Sequence, residues 1–330
     1  MHLNQVIELS MVLDHEKFHR VLMKVSEKNY LEKNEKEYID QSLAARGILV
    51  VYRNSQYKKR VKLIVNSGLV LDCESPDSNR FIHKLEKRIS EYFHAEYHLE
   101  DFHLARMVLM TDIDVGTQGK VSAYIKVLQR IGRVKGFSPV NYEGIDESIS
   151  FCLEGNSNGI EFLLYDLAGV IVKRRRNTAT SPKELNSILE KSEGILRAEV
   201  RLTKPKAIRV YTNEIEVTGQ IAELSKRGGD IFLDTLTRII PFGDFYKKEK
   251  AVEIIQSRVT NTILRRRMLH LLMLIPEKKS LLLAQKALNY RNIEKIMAAF
   301  EEINVSPITI SKRHDVKHLK CFYTYLFNEK

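Results

Sequence analysis

The chain has 330 residues, 44% of them hydrophobic and 29% charged, with 53 Lys and Arg against 42 Asp and Glu. That length suits two or three folding units, and the ordinary apolar fraction excludes global disorder or a collagen-like chain. No apolar run approaches the roughly 20 residues of a membrane span, and Met1-His2-Leu3-Asn4-Gln5 lacks the basic-then-apolar layout of a signal peptide. Three scattered cysteines, Cys73, Cys152 and Cys321, argue against a disulfide framework or a zinc module. The expectation is a cytoplasmic protein with no membrane partner.

In chain order, Val6–Leu13, Gly47–Arg53 and Val61–Val65 are rich in β-formers. Helices are expected at about His15–Asn29 and Arg80–Phe93, where Phe81, Leu85, Ile89 and Phe93 recur at helical spacing. The order then begins again. Leu104–Val115 reads as a strand, Gly119–Ile131 as a helix, and Ser148–Leu153 with Ile160–Asp166 as a hairpin across a Gly- and Asn-rich turn. Pro182–Lys191 reads as a helix and Leu196–Thr203 as a last strand. This second pass is β-α-β-β-α-β, the ferredoxin-like order, and the first pass shares its opening β-α-β-β-α.

Beyond residue 204 the periodicity turns helical: Gly219–Lys226, Lys247–Val259, Thr262–Leu274, Ser280–Leu288, Ile293–Ile303 and His314–Phe327. Pro241, Pro276 and Pro307 fall between these segments. The expected fold is therefore α+β, a duplicated ferredoxin-like antiparallel sheet followed by an all-helical domain. The units are residues 1–103 (a partial repeat), 104–203 and 204–330. If Leu104–Val115 closed the first unit and opened the second in full, it would need three sheet neighbours, so the first unit is expected to be incomplete.

Charge separates the last unit from the rest. Residues 204–330 hold 23 Lys and Arg against 14 Asp and Glu, so they carry +9 of the net +11. A localised basic region points first to nucleic acid, whose phosphates attract it whatever the base sequence. Arg265, Arg266, Arg267, Lys312 and Arg313 are the phosphate-binding candidates. Ile293–Ile303, the turn Asn304-Val305-Ser306-Pro307, and Ile308–Arg313 resemble a helix–turn–helix, with Ser306 as cap and Pro307 opening the second helix.

Strand parity is the most informative signal in the middle unit, because side chains alternate between sheet faces. Asp112 and Asp114 share a face, Glu161 and Tyr165 lie opposite Ile160, Phe162 and Leu164, and Arg197, Glu199 and Arg201 lie opposite Leu196, Ala198, Val200 and Leu202. The ferredoxin-like order sets the first strand between the third and fourth, which would gather all seven polar residues on one face. A solvated polar face accounts for such a pattern equally. Crowded carboxylates repel, however, unless a cation or the arginines neutralise them. Asp112, Asp114, Glu161 and Glu199 would suit Mg²⁺ or Mn²⁺. Tyr165 beside such a metal is a candidate nucleophile, and Arg197 with Arg201 could clamp a phosphate.

Other motifs weigh less. No His-apolar-His triplet occurs, so the usual metal motif of many single-strand nickases is absent. His94 and His98 are expected in solvent-facing or capping roles. Gly155 to Gly159 is a turn rather than a phosphate cradle, and Lys173-Arg174-Arg175-Arg176 is either a phosphate tracker or a solvated loop.

Thr111-Asp112-Ile113-Asp114, Leu163-Leu164-Tyr165-Asp166 and Leu196-Arg197-Ala198-Glu199-Val200-Arg201-Leu202 resemble successive motifs of replication initiators and relaxases that lack the two-histidine motif. These are the filamentous-phage gene II type, rolling-circle plasmid initiators and relaxases of integrative elements. The resemblance covers roughly residues 104–203. It implies metal-assisted transesterification, in which a tyrosine attacks a DNA phosphodiester and becomes 5′-phosphotyrosyl-linked. Asp112 or Asp114 matches the first acidic motif, Tyr165 the tyrosine of the second and Glu199 the glutamate of the third. Leu167 stands where many members have lysine. The second-motif tyrosine is not the nucleophile in every branch, which keeps Tyr124 and Tyr211 as alternatives. DNA is the implied partner, with a homodimer as a further option. The runner-up is a non-catalytic origin-binding protein or DNA-binding regulator that retained the fold, and a third reading is an interaction protein whose basic domain meets an acidic partner.

Overall fold

Burial alternates strictly in Lys59–Asn66, where Val61, Leu63 and Val65 are buried and the residues between them are not. The same two-residue period builds most of the sheet. The structure is a computed structural model that describes residues 3–25, 37–71, 77–175 and 182–327. In chain order it runs β1 (Asn4–Leu13), α1 (His15–Val25), β2 (Glu37–Asp40), β3 (Ile48–Asn54), β4 (Lys59–Asn66), α2 (Ser67–Val70), α3 (Ser78–Tyr92) and β5 (His103–Asp114). Then come α4 (Gln118–Leu128), β6 (Phe137–Pro139), β7 (Ser150–Gly155), β8 (Ile160–Asp166), α5 (Leu167–Arg175), α6 (Pro182–Ser192) and β9 (Ile195–Leu202). The rest comprises α7 (Pro205–Tyr211), α8 (Val217–Lys226), α9 (Gly228–Ile239), β10 (Phe245–Tyr246), α10 (Lys248–Arg258), α11 (Thr262–Lys278), α12 (Leu281–Ala287), α13 (Ile293–Glu302), β11 (His318–Leu319) and α14 (Phe322–Phe327).

The helices begin where side chains can take up their orphan N–H groups. Asp77 accepts from Asn79 and Arg80 at the start of α3, Thr117 from Lys120 at α4, and Asn261 from Ile263 and Leu264 at α11. Pro205 opens α7, where its missing N–H costs nothing. Two expected elements run into residues outside the described set: the end of the helix at His15–Asn29, and Arg176 of the basic run.

The fold is α+β with one large antiparallel sheet. Its nine strands lie in the order β2-β3-β4-β1-β5-β9-β8-β7-β6. Here the expected order is corrected. β5 was to lie between β8 and β9, but β9 lies between β5 and β8. One edge of β5 is taken by β1 and a strand has only two edges, so the second unit closes on β9 instead. The short strands β2 and β6 extend the sheet at both ends.

One face of the sheet is apolar and covered by helices. Ile7, Leu9, Leu63, Val65, Met107, Leu109, Phe162, Leu164, Ala198 and Val200 belong to a core shared with Phe18, Phe81, Leu85, Ile221, Phe232, Leu236 and Phe322. Because α7, α8, α9 and α14 pack on β5 or β9, the residues after 204 bury their apolar sides against the sheet. They are not all helical, since β10 and β11 pair antiparallel.

The helix–turn–helix expectation is also corrected. α13 forms, but Val305–Ile310 is non-helical and wholly buried, bending at Pro307 and Ile308 between single bridges from Val305 to Asp244 and from Ile310 to Lys247. Ser306 N–H donates to Asp244 O at 2.8 Å and Ile310 N–H to Tyr246 O at 2.9 Å. A surface helix would bury only one side of this run, whereas the bent segment buries every residue from Val305 to Ile310. For the same reason the helix expected over His314–Phe327 is reduced to α14, its start being given to β11. Pro276 lies inside α11, two residues before its C-terminal end and not between helices as expected, and its missing N–H forgoes one intrahelical hydrogen bond there.

Candidate functional site: the polar face of the sheet

Opposite the helices, β5, β9 and β8 present the face that parity singled out. Asp112 pairs in register with Arg197, Met110 with Glu199 and Val108 with Arg201. Tyr165 is then opposite Arg197, Leu163 opposite Glu199 and Glu161 opposite Arg201. The seven residues therefore share a face although the strand order differs from the expected one. The two ways of ordering the strands preserve parity.

Their contacts are specific. Tyr165 Oη donates to Glu199 Oε1 at 2.5 Å, and Arg201 holds the other oxygen with Nε at 2.7 Å and Nη2 at 2.6 Å. Tyr165 and Glu199 are only 3% and 5% exposed. Arg197 grips Asp112 with two parallel bonds, Nε to Oδ1 at 2.6 Å and Nη2 to Oδ2 at 2.8 Å. That bond, outweighing the opposing effect of burial, pushes the Arg197 guanidinium pKa above its ordinary value. Asp114 stands apart at the strand ends and accepts the Gly116 N–H at 2.8 Å, closing its own turn.

Two of the four carboxylates, Asp112 and Glu199, are thus paired with arginines. Among the described residues no group of three or more His, Cys, Asp or Glu is placed to hold a metal ion. Asp112 faces Arg197, Glu199 faces Tyr165 and Arg201, and Asp114 faces its own backbone.

Two features of the site escaped the sequence reading. A small apolar cluster of Ile145, Cys152, Leu163, Tyr165 and Val170, flanked by Val140, Tyr142, Ile149 and Leu167, caps the phenol from the polar side. Tyr142 lies beneath the Arg201 guanidinium, 5.5 Å from its ring centre. Burial first, then the Glu161 charge, raise the Tyr142 pKa. Residues 139–149 have no periodicity, so nothing in the sequence could place them there. Arg106 was legible, since its even number in β5 sets it on the face of Asp112.

The remaining candidates are dispersed. Arg267 stacks on Tyr290 at 3.6 Å, Arg265 reaches the Gln256 and Val259 carbonyls at 3.4 and 3.5 Å, and Arg266 is exposed. Lys312 pairs with Glu249 at 2.9 Å, and Arg313 is exposed on the loop after the buried run. The alternative tyrosines serve packing: Tyr124 donates to Lys320 O at 2.8 Å from full burial, and Tyr211 lies 3.5 Å from Asp234. His94 and His98 are exposed beyond the end of α3, with His98 Nδ1 2.7 Å from Glu86. No helix among the described residues is long and apolar enough to cross a membrane. No protein-family model matches the sequence, and comparison with curated proteins finds no match.

Proposed function

We propose that this chain is a DNA-binding protein of the replication-initiator or relaxase kind, from a plasmid, phage or integrative element, which nicks DNA with Tyr165. The observation that carries the reading is the Tyr165–Glu199 hydrogen bond among arginines on the polar sheet face. Glu199 would take the phenolic proton as the phenol oxygen attacks phosphorus, and the 3′ oxygen would leave with a proton from solvent. Arg197 and Arg201 supply positive charge beside the phosphate. A bound Mg²⁺ or Mn²⁺ would add polarisation of the phosphate. Asp112 and Glu199 would have to leave Arg197 and Arg201 to serve as its oxygen donors, with Asp114 and Glu161 on the same face, since among the described residues no three such groups are placed to hold an ion. The basic segment after residue 204 would hold duplex DNA through Arg266, Arg313 and their neighbours. We read the two halves of the sheet as repeats of one β-α-β-β-β-α-α unit, with β5 at the junction.

The burial of Tyr165 supports a second reading, a DNA-binding replication protein that kept the fold without nicking. Circular single-stranded phage DNA incubated with the protein and Mn²⁺, then digested and analysed by peptide mass spectrometry, separates the two. Nicking predicts a phosphonucleotide on Tyr165 that Tyr165→Phe abolishes. An adduct on Tyr124 or Tyr211 overturns the assignment of the nucleophile. Salt-sensitive DNA retention with no adduct establishes the second reading.

A further inference from the structure

The same polar face continues onto the first half of the sheet, where β4, β1 and β5 are neighbours. Ser10 of β1 lies in register between Lys62 of β4 and His103 of β5. Arg60 stands one step along β4, opposite Val12, and Arg106 one step along β5, opposite Glu8. Lys62 is held by Glu8, both less than one-fifth exposed. Across β5, Arg106 is close enough to Arg201 that this charge, after burial, lowers its pKa. Burial, and then the charges of Arg60 and Lys62, lower that of His103.

Arg60 and Arg106 differ from the other arginines on this face. Arg53 has Glu37, Arg197 has Asp112 and Arg201 has Glu199. Neither Arg60 nor Arg106 has an ion pair among the described residues, and the Nε–H of each is shut from solvent without an acceptor. Ser10 Oγ, in a residue 1% exposed, also lacks a partner. Unpaired, half-buried guanidinium groups are costly to hold. With the Nε–H groups shut in, the terminal guanidinium nitrogens are what each arginine can offer an anion, and at Arg106 the charges of Glu161, Glu8 and Glu199 act against burial and Arg201 without forming an ion pair among the described residues. The matching anion has several oxygens and spans strands, as a phosphodiester backbone does.

We propose that Arg60 and Arg106, with Lys62 and His103 between them, bind the phosphates of a single DNA strand crossing the sheet face next to Tyr165 and Arg201. The site rests on the DNA-binding reading and not on nicking, so it survives if Tyr165 forms no adduct. Basic groups spread over neighbouring strands of one sheet face suit an extended single strand better than a duplex.

The test is fluorescence anisotropy with a labelled mixed-sequence 20-nucleotide strand and its duplex, over a chloride series. It uses the full chain and the Arg60→Gln, Arg106→Gln and doubly substituted proteins. Each single change should weaken single-strand binding about tenfold. It should also make the slope of log affinity against log salt shallower by about 0.7, while duplex affinity stays within about twofold. Because neither arginine has an ion pair among the described residues, thermal stability should hold or rise in these variants, whereas residues with a merely structural role would lower it. Unchanged single-strand affinity and slope in the doubly substituted protein would overturn the proposal. So would equal losses for strand and duplex. Inorganic phosphate that displaced the strand where chloride of equal ionic strength did not, with no dependence on strand length, would reassign the site to a free anion and overturn the strand path.

Discussion

Tyr165 and Glu199 sit on adjacent strands, and a 2.5 Å hydrogen bond joins the phenol of one to the carboxylate of the other within a nearly dry pocket. Arg201 completes the unit by holding the second carboxylate oxygen. The three side chains balance one another, so removing any one leaves a buried polar group without its partner.

The unit should therefore respond asymmetrically to substitution. Glu199→Ala strands both Arg201 and the phenol, and should cost about 3 kcal/mol or more. Tyr165→Phe removes one neutral donor and should cost about 1 to 2 kcal/mol. Urea unfolding of the two variants checks this. Equal losses would mean that Arg201 finds another partner.

The cap over Tyr165 is tied down by charge. Lys173 of α5 donates to Asp146, whose pKa is held well below the usual carboxylate range by that bond and by the Ser148 N–H. A depressed carboxylate contributes stability above its unfolded pKa, near 4, and loses it as pH falls through the lower folded value. Asp146→Asn should give a small Tm deficit that is constant from pH 5 to 8 and shrinks below pH 4. A deficit growing at low pH would contradict the pairing. The side chains stand in solvent, so added salt should reduce the deficit.

Cys152 belongs to the same cap. Burial pushes its thiol up to about 11, against the opposing hydrogen bond from Ser150. At pH 8 only about 0.1% is thiolate, so iodoacetamide should modify it on the order of a hundredfold more slowly than an exposed cysteine. Peptide mass spectrometry of the native protein reads this directly. Rapid labelling of Cys152 would show that the cap opens freely.

Gly243 makes a backbone prediction. Its φ is +104°, and a Cβ there would overlap the peptide between Val305 and Ser306. Its N–H also reaches Cys321 Sγ at 3.4 Å. Gly243→Ala should cost about 3 kcal/mol, from φ strain and overlap together. It should loosen the buried run Val305–Ile310, seen as faster amide exchange at Ser306 and Ile310.

Periodicity in the amino-acid sequence was enough to place most strands and helices, because apolar alternation and caps such as Asp77 and Asn261 act within a few residues. Parity alone assembled Asp112, Asp114, Glu161, Tyr165, Arg197, Glu199 and Arg201 on one face, since the two-residue period holds whichever strand is the neighbour. Strand neighbours themselves depend on competition across the chain. β1 had already occupied one edge of β5, and this set β9 between β5 and β8. Ser306-Pro307 carries the same local signal for a helix start as for a bend, and only burial of the whole run Val305–Ile310, bridged at both ends to the segment at Asp244–Lys247, selected the non-helical form. Whether the crowded carboxylates met a cation or arginines was likewise a tertiary matter. Arg197 and Arg201 reach them from a strand more than 80 residues from Asp112, and partner choice at that separation is decided by packing rather than by spacing.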